Sequence, residues 1–294
     1  MTSQATESGA IDGLLLIDKA AGGTSHDVVN VARRALGERR IGHAGTLDPF
    51  ATGLLVLLLG RATRLLPYLD GEPKVYEAVI RFGAETTTED LHGSVTREAA
   101  LPDRESVNRA IADLTGEISQ VPPAFSAKRV DGQRAYTLAR AGVEVDLPPV
   151  SVHVHSWSVG PWDADDLLHV TITCGGGTYV RSLARDLGRA TGSAAHLFAL
   201  RRVRSGPFAV LDAVSASDVD AYRDAVKPPI SALPHLQRQQ LSLEEVGQVA
   251  RGISVPACVD GERAALMNGD SETLVALAER RSDRWQPRVV MREP

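Results

Sequence analysis

The chain has 294 residues, 43% hydrophobic and 23% charged, the make-up of an ordinary soluble globular protein large enough for about two domains. Its longest apolar run, Leu54–Leu59, falls far short of the ~18 residues of a membrane span, Met1–Gly9 lacks the basic start and apolar core of a signal peptide, and Cys174 and Cys258 have no CxxC partner, so a reducing cytoplasm is the expected compartment. The formal net charge of −5 argues against nucleic acid only at first sight, because a binding face needs no more than a local excess.

Residues 1–10 are expected to form a flexible tail. Gly13–Asp18 reads as a strand. Thr24 or Ser25 can cap a helix whose apolar positions are Val28, Val31, Ala32 and Ala35. Arg33, Arg34, Arg39 and Arg40 against Glu38 then leave a local charge of +3. Directly after comes His43-Ala-Gly-Thr-Leu-Asp-Pro-Phe-Ala-Thr-Gly53. It places one carboxylate, Asp48, in a turn of glycines, small residues and a proline. Pro49 disfavours the α region for Asp48 and removes a backbone donor just after it. Gly45 and Gly53 let the chain bend where a Cβ would block it. Leu54–Leu59 reads as a fully buried strand or core segment. A carboxylate at the mouth of a buried element is rigid yet reachable, which suits a nucleophile, although Asp before Pro is also common turn chemistry.

Val75, Ala78, Ile80 and Phe82 mark a further strand, and Asp103–Leu114 a helix with the stripe Val107, Ile111 and Leu114. Lys128, Arg129, Arg134 and Arg140 against Asp131 give another +3. Val150, Val152 and Val154, and then Leu168, Val170 and Ile172, alternate as half-buried strands. Gly175-Gly-Gly177 leads into a helix from Thr178 to Ala190, and Ala195–Val203 returns as a strand. Thr178 to Arg204 carries Arg181, Arg185, Arg189, Arg201, Arg202 and Arg204 against Asp186 alone, a local +5. Three positive segments point to one basic face; the plainer reading is exposed helix arginines. Lys227–Pro234 is proline-rich and reads as a linker. Leu241–Val246 reads as a short capped helix, and the apolar runs Ala264–Met267, Leu274–Ala278 and Val289–Met291 as strands of a small barrel. Strands and helices without a βαβ rhythm favour an α+β domain with a largely antiparallel sheet. Neither a P-loop nor a dinucleotide fingerprint is present, and no cofactor or metal is expected.

His43–Gly53 closely resembles the catalytic motif of the TruB family of tRNA pseudouridine synthases. The resemblance extends to Gly13–Lys19, Thr24–Val28, Lys74–Glu77, Ser126–Lys128 with Gly132–Tyr136, and Gly177–Gly188, in the family's order. It implies a pseudouridine-synthase catalytic domain over 11–228 and a small PUA-type RNA-binding domain over 236–294. The implied reaction is isomerisation of uridine 55 in the tRNA T loop to pseudouridine. Asp48 is the implied nucleophile, attacking either the base or the anomeric carbon. Arg181 is its implied guanidinium partner, although a helix-start arginine also suits a phosphate. Tyr76 is implied to give the flipped base a flat face, with a hydroxyl that can move a proton at carbon 5, although a tyrosine in an alternating strand also suits the core. Tyr179 and Leu200 are implied walls of the base pocket, His43 a wedge in the space vacated by the flipped nucleotide, and Lys19 a support for the active-site loop or RNA backbone.

Three positions depart from the family pattern. Ala20 stands where proline is usual, Phe50 where leucine is usual, and Gly176 where many members carry lysine. The expected partner is the tRNA T arm, with no membrane, no obligate protein partner and a monomeric state. The rival expectation is a non-catalytic T-arm-binding or tRNA-folding protein. An Asp48–Tyr76–Arg181 set argues against it, since RNA binding alone has no use for a carboxylate near phosphates.

Overall fold

The computed structural model describes residues 11–291 apart from 127, 131, 132, 142, 144, 145, 270 and 272. The expected tail over 1–10 therefore lies outside the described residues, as do Asp131 and the side chains of Arg129, Arg134 and Arg140 in the second basic segment. In chain order the elements are β1 (Gly13–Lys19), α1 (Ser25–Leu36), β2 (Ile41–Ala44), β3 (Thr52–Leu59), β4 (Lys74–Phe82), β5 (Ala84–Thr86), β6 (Val95–Glu98), α2 (Arg104–Asp113) and β7 (Gly116–Gln120). They continue as β8 (Arg129–Val130), β9 (Gln133–Arg134), α3 (Ala135–Arg140), β10 (Val150–Asp163), β11 (Leu167–Cys174), α4 (Val180–Ala190) and β12 (Ala195–Ser205). The last are β13 (Phe208–Ala209), β14 (Val214–Ser215), β15 (Gln237–Leu241), α5 (Leu243–Ala250), β16 (Val255–Pro256), β17 (Arg263–Asn268), β18 (Thr273–Arg281) and β19 (Arg284–Val290). The chain forms two compact units, one of Met1–Pro49, Gly53–Asp70 and Pro207–Pro294, the other of Phe50–Thr52 and Gly71–Gly206.

In the first unit β1 runs antiparallel to β3 from Gly13 opposite Leu59 to Lys19 opposite Gly53, β2 also pairs with β3, and β14 lies parallel to β1. Every residue of β3 after Thr52 is buried, as a continuous apolar run requires. α1 packs Val28, Val29, Ala32 and Leu36 onto Leu15, Ile17, Leu55, Leu57 and Leu59. The expected stripe is thus rotated: Ala35 is exposed and Leu36, four residues after Ala32, takes its place. Thr24 is the cap, in a reciprocal box with Asp27. The stretch expected as a linker is packed instead. Leu14 and Lys227 exchange backbone hydrogen bonds at 2.9 and 2.8 Å, and Ile230, Ala232 and Leu233 are buried.

The C-terminal part of this unit is a five-stranded sheet in the order β15-β17-β18-β19-β16. α5, capped by Ser242 with Glu245, packs against it through Val246 and Val249. Trp285 is fully buried there and donates to Gln239 Oε1 at 2.8 Å, so its indole N–H is satisfied as burial demands. Arg64 Nη1 donates to the Val290 carbonyl at 3.0 Å, and the Arg263 guanidinium lies 5.2 Å from the Tyr68 ring centroid.

The second unit is built on an antiparallel sheet in the order β12-β4-β11-β10-β7. β4 alternates, burying Tyr76, Ala78, Ile80 and Phe82. α4 packs on β12, and its Leu183, Ala184 and Leu187 are fully buried. It starts at Val180, two residues after the Thr178 that the sequence favours, with Tyr179 as an N-cap whose side chain makes no capping bond.

Candidate active site

Asp48 lies in the turn between β2 and β3, and groups of its own unit fix that turn on both sides of the carboxylate. Lys19, at the end of β1, is 1% exposed and its ammonium donates to the carbonyls of Ala20 at 2.9 Å and Pro49 at 3.1 Å. The Gly22 N–H donates to the same Pro49 carbonyl at 2.8 Å. Ser25, also buried, brackets Leu47: its hydroxyl accepts from the Leu47 N–H at 2.8 Å and donates to the Leu47 carbonyl at 3.1 Å. Asp48, between Leu47 and Pro49, stays half-buried. Gly45 and Gly53 take φ of 82° and 99°, the left-handed backbone that glycine adopts without steric cost. Burial pushes the Lys19 pKa down, and the carboxylates of Asp48 and Asp27 act against that. Lys19 and Asp48 are therefore brought within electrostatic reach. His43 is half-buried on β2, opposite Leu57.

Tyr76, Tyr179, Arg181 and Leu200 belong to the second unit. Tyr76 faces Arg202 and Ala78 faces Leu200 across the β4–β12 ladder, so buried Leu200 is a diagonal neighbour of buried Tyr76. Thr52 Oγ1 donates to the Leu200 carbonyl at 3.4 Å. Tyr179 is held through its backbone by Gln120, which is fully buried. Gln120 Oε1 accepts from the Tyr179 N–H at 2.9 Å, and Nε2 donates to its carbonyl at 3.1 Å. That amide fixes the backbone of the residue from which α4 starts. Arg181 is 4% exposed. Its Nη1 donates to the Thr88 carbonyl and its Nη2 to the Phe125 carbonyl, each at 3.0 Å.

Part of the charge of the arginine-rich segment is answered within the fold, while Arg189 and Arg204 stay exposed. Arg185 pairs with Glu89 and, at 2.8 Å, with Asp186. Arg189 forks onto Glu85 at 3.0 and 2.7 Å, and Arg97 meets the same carboxylate at 2.7 Å. Arg202 is 1% exposed. Glu85 and Glu89, distant in sequence, supply the counter-charge. Burial pushes the Glu85 carboxyl up, but the bonds from Arg189 and Arg97 outweigh it and hold the group below the usual carboxylate range. At Glu89 burial prevails over Arg185 and Ser182, and the carboxyl is raised. In the earlier basic segment Arg33 donates to Asn30 and to the Ile41 carbonyl, while Arg34, Arg39 and Arg40 are exposed.

Of the three departures, Ala20 contributes its carbonyl to Lys19. Phe50 is buried, its ring edge-on to His92 with centroids 6.3 Å apart. At Gly176 the Glu72 carboxylate occupies the space a Cβ would need, so a longer side chain there requires Glu72 to swing away. Burial pushes the Cys174 thiol up to about 11, which makes it a poor nucleophile. Among the described residues no group of three or more His, Cys, Asp or Glu could hold a metal ion, and no helix is long and apolar enough to cross a membrane.

Sequence reading missed Ser25 as a brace, Gln120, Glu85 and Glu89. Ser25 was open to it as a cap candidate. Glu89 sits in the polar stretch Thr86–Gly93, with Glu85 just before it, and that stretch has the composition of an exposed turn; nothing in its pattern announces burial.

Residues 33–180 match the model of the TruB family pseudouridylate synthase N-terminal domain, and residues 181–238 that of the tRNA pseudouridylate synthase B C-terminal domain. A tRNA pseudouridine synthase B of Thermobifida fusca is 44% identical over 95% of this chain and 98% of that protein. One of Gloeobacter violaceus is 41% identical over 96% and 99%. Among solved structures, a Cbf5-Nop10-Gar1 complex matches with a TM-score of 0.71 and 26% identity, over 96% of this chain and 85% of the other. An H/ACA RNP bound to a substrate RNA containing 2'-deoxyuridine matches with a TM-score of 0.71 and 23% identity, over 95% and 85%. The fold is that of the pseudouridine synthases with a PUA-like C-terminal sheet, and the chain belongs to the TruB family of tRNA pseudouridine synthases.

Proposed function

We propose that this chain isomerises uridine 55 of the tRNA T loop to pseudouridine, with Asp48 as nucleophile. In that reaction the N1–C1′ bond breaks, a C5–C1′ bond forms, the hydrogen on C5 leaves as a proton and N1 takes one up, so atoms and charge balance and no redox partner is needed. Arg181 keeps Asp48 ionised and oriented. Tyr76 stacks on the detached base and serves the proton at C5. Tyr179 and Leu200 wall the base, His43 fills the gap in the RNA, and Lys19 supports the turn. Residues 11–228 carry the catalysis and 236–294 contact RNA. The enzyme acts in the cytoplasm as a monomer on the T arm, without a cofactor.

The observation that carries this reading is the braced turn. Both neighbours of Asp48 are bonded through their backbones, Leu47 to Ser25 and Pro49 to Lys19 and Gly22, while Asp48 itself is only half-buried. A group that only starts a turn needs no such support; one that must meet a reacting atom does. The test is release of tritium from T-arm RNA carrying 5-tritiated uridine. Wild-type protein should release it from the T-loop uridine, and Asp48→Asn should not. Release from other uridines only would refute the site, and release by Asp48→Asn at the wild-type rate would refute the nucleophile.

A further inference from the structure

Glu89 combines two costly features. Its φ is 59°, a left-handed backbone that non-glycine residues rarely adopt, and its carboxylate is largely buried, the side chain 13% exposed. Four contacts hold it there. One carboxylate oxygen accepts from Ser182 Oγ at 3.0 Å, and the other pairs with Arg185. Its N–H donates to the Thr86 carbonyl at 3.0 Å, and its carbonyl accepts from the Leu197 N–H at 3.0 Å. The flanking residues are equally committed: Asp90 Oδ1 accepts from Thr88 Oγ1 at 2.6 Å and from the His92 N–H at 3.0 Å. Strain of this kind persists only where the surroundings over-determine it, and it gathers at functional sites.

The residue before Glu89 contributes the carbonyl to which Arg181 donates. We propose that Glu89 is a positioning residue for Arg181, tying the 86–93 turn to the first two turns of α4 so that the Thr88 carbonyl is fixed under the guanidinium. The inference rests on the proposed role of Arg181 in the reaction. A purely structural ion pair explains less. Arg185 already has Asp186 and the Val121 carbonyl at 2.9 Å, and the far end of α4 is clamped separately by Glu85 and Arg189. What Glu89 adds to these is a side-chain link from α4 to the turn beneath Arg181.

Glu89→Gln keeps the volume and the Ser182 bond but cannot pair with Arg185 as an anion. Its single-turnover rate on T-arm RNA should fall about 10- to 100-fold, the scale of a small misplacement of a catalytic group, with RNA affinity within about twofold. Arg181→Lys and the double variant complete a cycle. If Glu89 acts through Arg181, the double variant should be no more than about twofold slower than Arg181→Lys. A Glu89→Gln rate near wild type, an equal loss in affinity, or losses that multiply would overturn the inference. A wild-type rate for Arg181→Lys would instead overturn the role of Arg181 itself. If Arg181→Lys is too slow for the cycle, the crystal structure of Glu89→Gln decides, and Arg181 still donating to the Thr88 carbonyl refutes the idea. If Glu89→Gln does not fold, Ser182→Ala takes its place in the rate measurement, where a several-fold loss is expected and an unchanged rate refutes.

Discussion

Asp48→Asn keeps the shape of the side chain and removes its charge. The substitution should abolish turnover while T-arm affinity stays within a few-fold of wild type, measured by tritium release and filter binding. His43 and Tyr76 separate extraction of the nucleotide from the chemistry. His43→Ala should slow single turnover on a folded T arm by forfeiting roughly 1–3 kcal/mol of stacking, and the loss should shrink on a short unstructured RNA. Tyr76→Ala should be costly on both, and equal losses for His43→Ala would remove it from the wedge role. The turn that carries Asp48 was readable in the sequence because Pro49, Gly45 and Gly53 act on their own backbone, while the role given to Asp48 came from the family resemblance and its braces from Lys19, Gly22 and Ser25 were not visible. Glu89 was not, because what fixes it comes from Ser182, Arg185 and Leu197, about a hundred residues away in sequence, a separation that no local pattern spans.

Elements whose pattern is periodic were found where periodicity put them, notably β11 and α2, with Asp103 capping the last, and β3 where its unbroken apolar run put it. The segment after Lys227 was not, since proline content says nothing of the backbone exchange with Leu14 that packs it. The join between β1, α1 and the Asp48 turn is exposed to a simple test. Ser25→Ala leaves the buried Leu47 N–H and carbonyl without their brace, and should cost about 1–3 kcal/mol in denaturant unfolding. A cost near zero would mean the turn holds itself. The clamp on α4 predicts a pH dependence. Because the folded Glu85 carboxyl lies below its unfolded value, its charge stabilises the fold fully above the ordinary carboxylate range, and the gain is lost as pH falls through the depressed value. Melting curves should therefore show a large penalty for Glu85→Gln at neutral pH that fades in acid. A penalty independent of pH would assign Glu85 to packing alone.

For the molecule as a whole, charge counting located basic segments but not which of their arginines are buried. Arg185 and Arg202 are buried, and the acids that answer the segment come from elsewhere in the chain. Arg34, Arg39 and Arg40 remain exposed. T-arm affinity should still fall steeply with salt as phosphates shed counterions. Arg39→Gln or Arg40→Gln should reduce the slope by about 1, whereas Arg185→Gln should lower the melting temperature and leave the slope unchanged. The most direct test of the whole account is a carbodiimide map of pseudouridine in cellular RNA with the gene deleted and then restored as wild type or Asp48→Asn. The account predicts that the T-loop signal at uridine 55 disappears on deletion and returns only with wild type. A signal that survives deletion, or that Asp48→Asn restores, would contradict it.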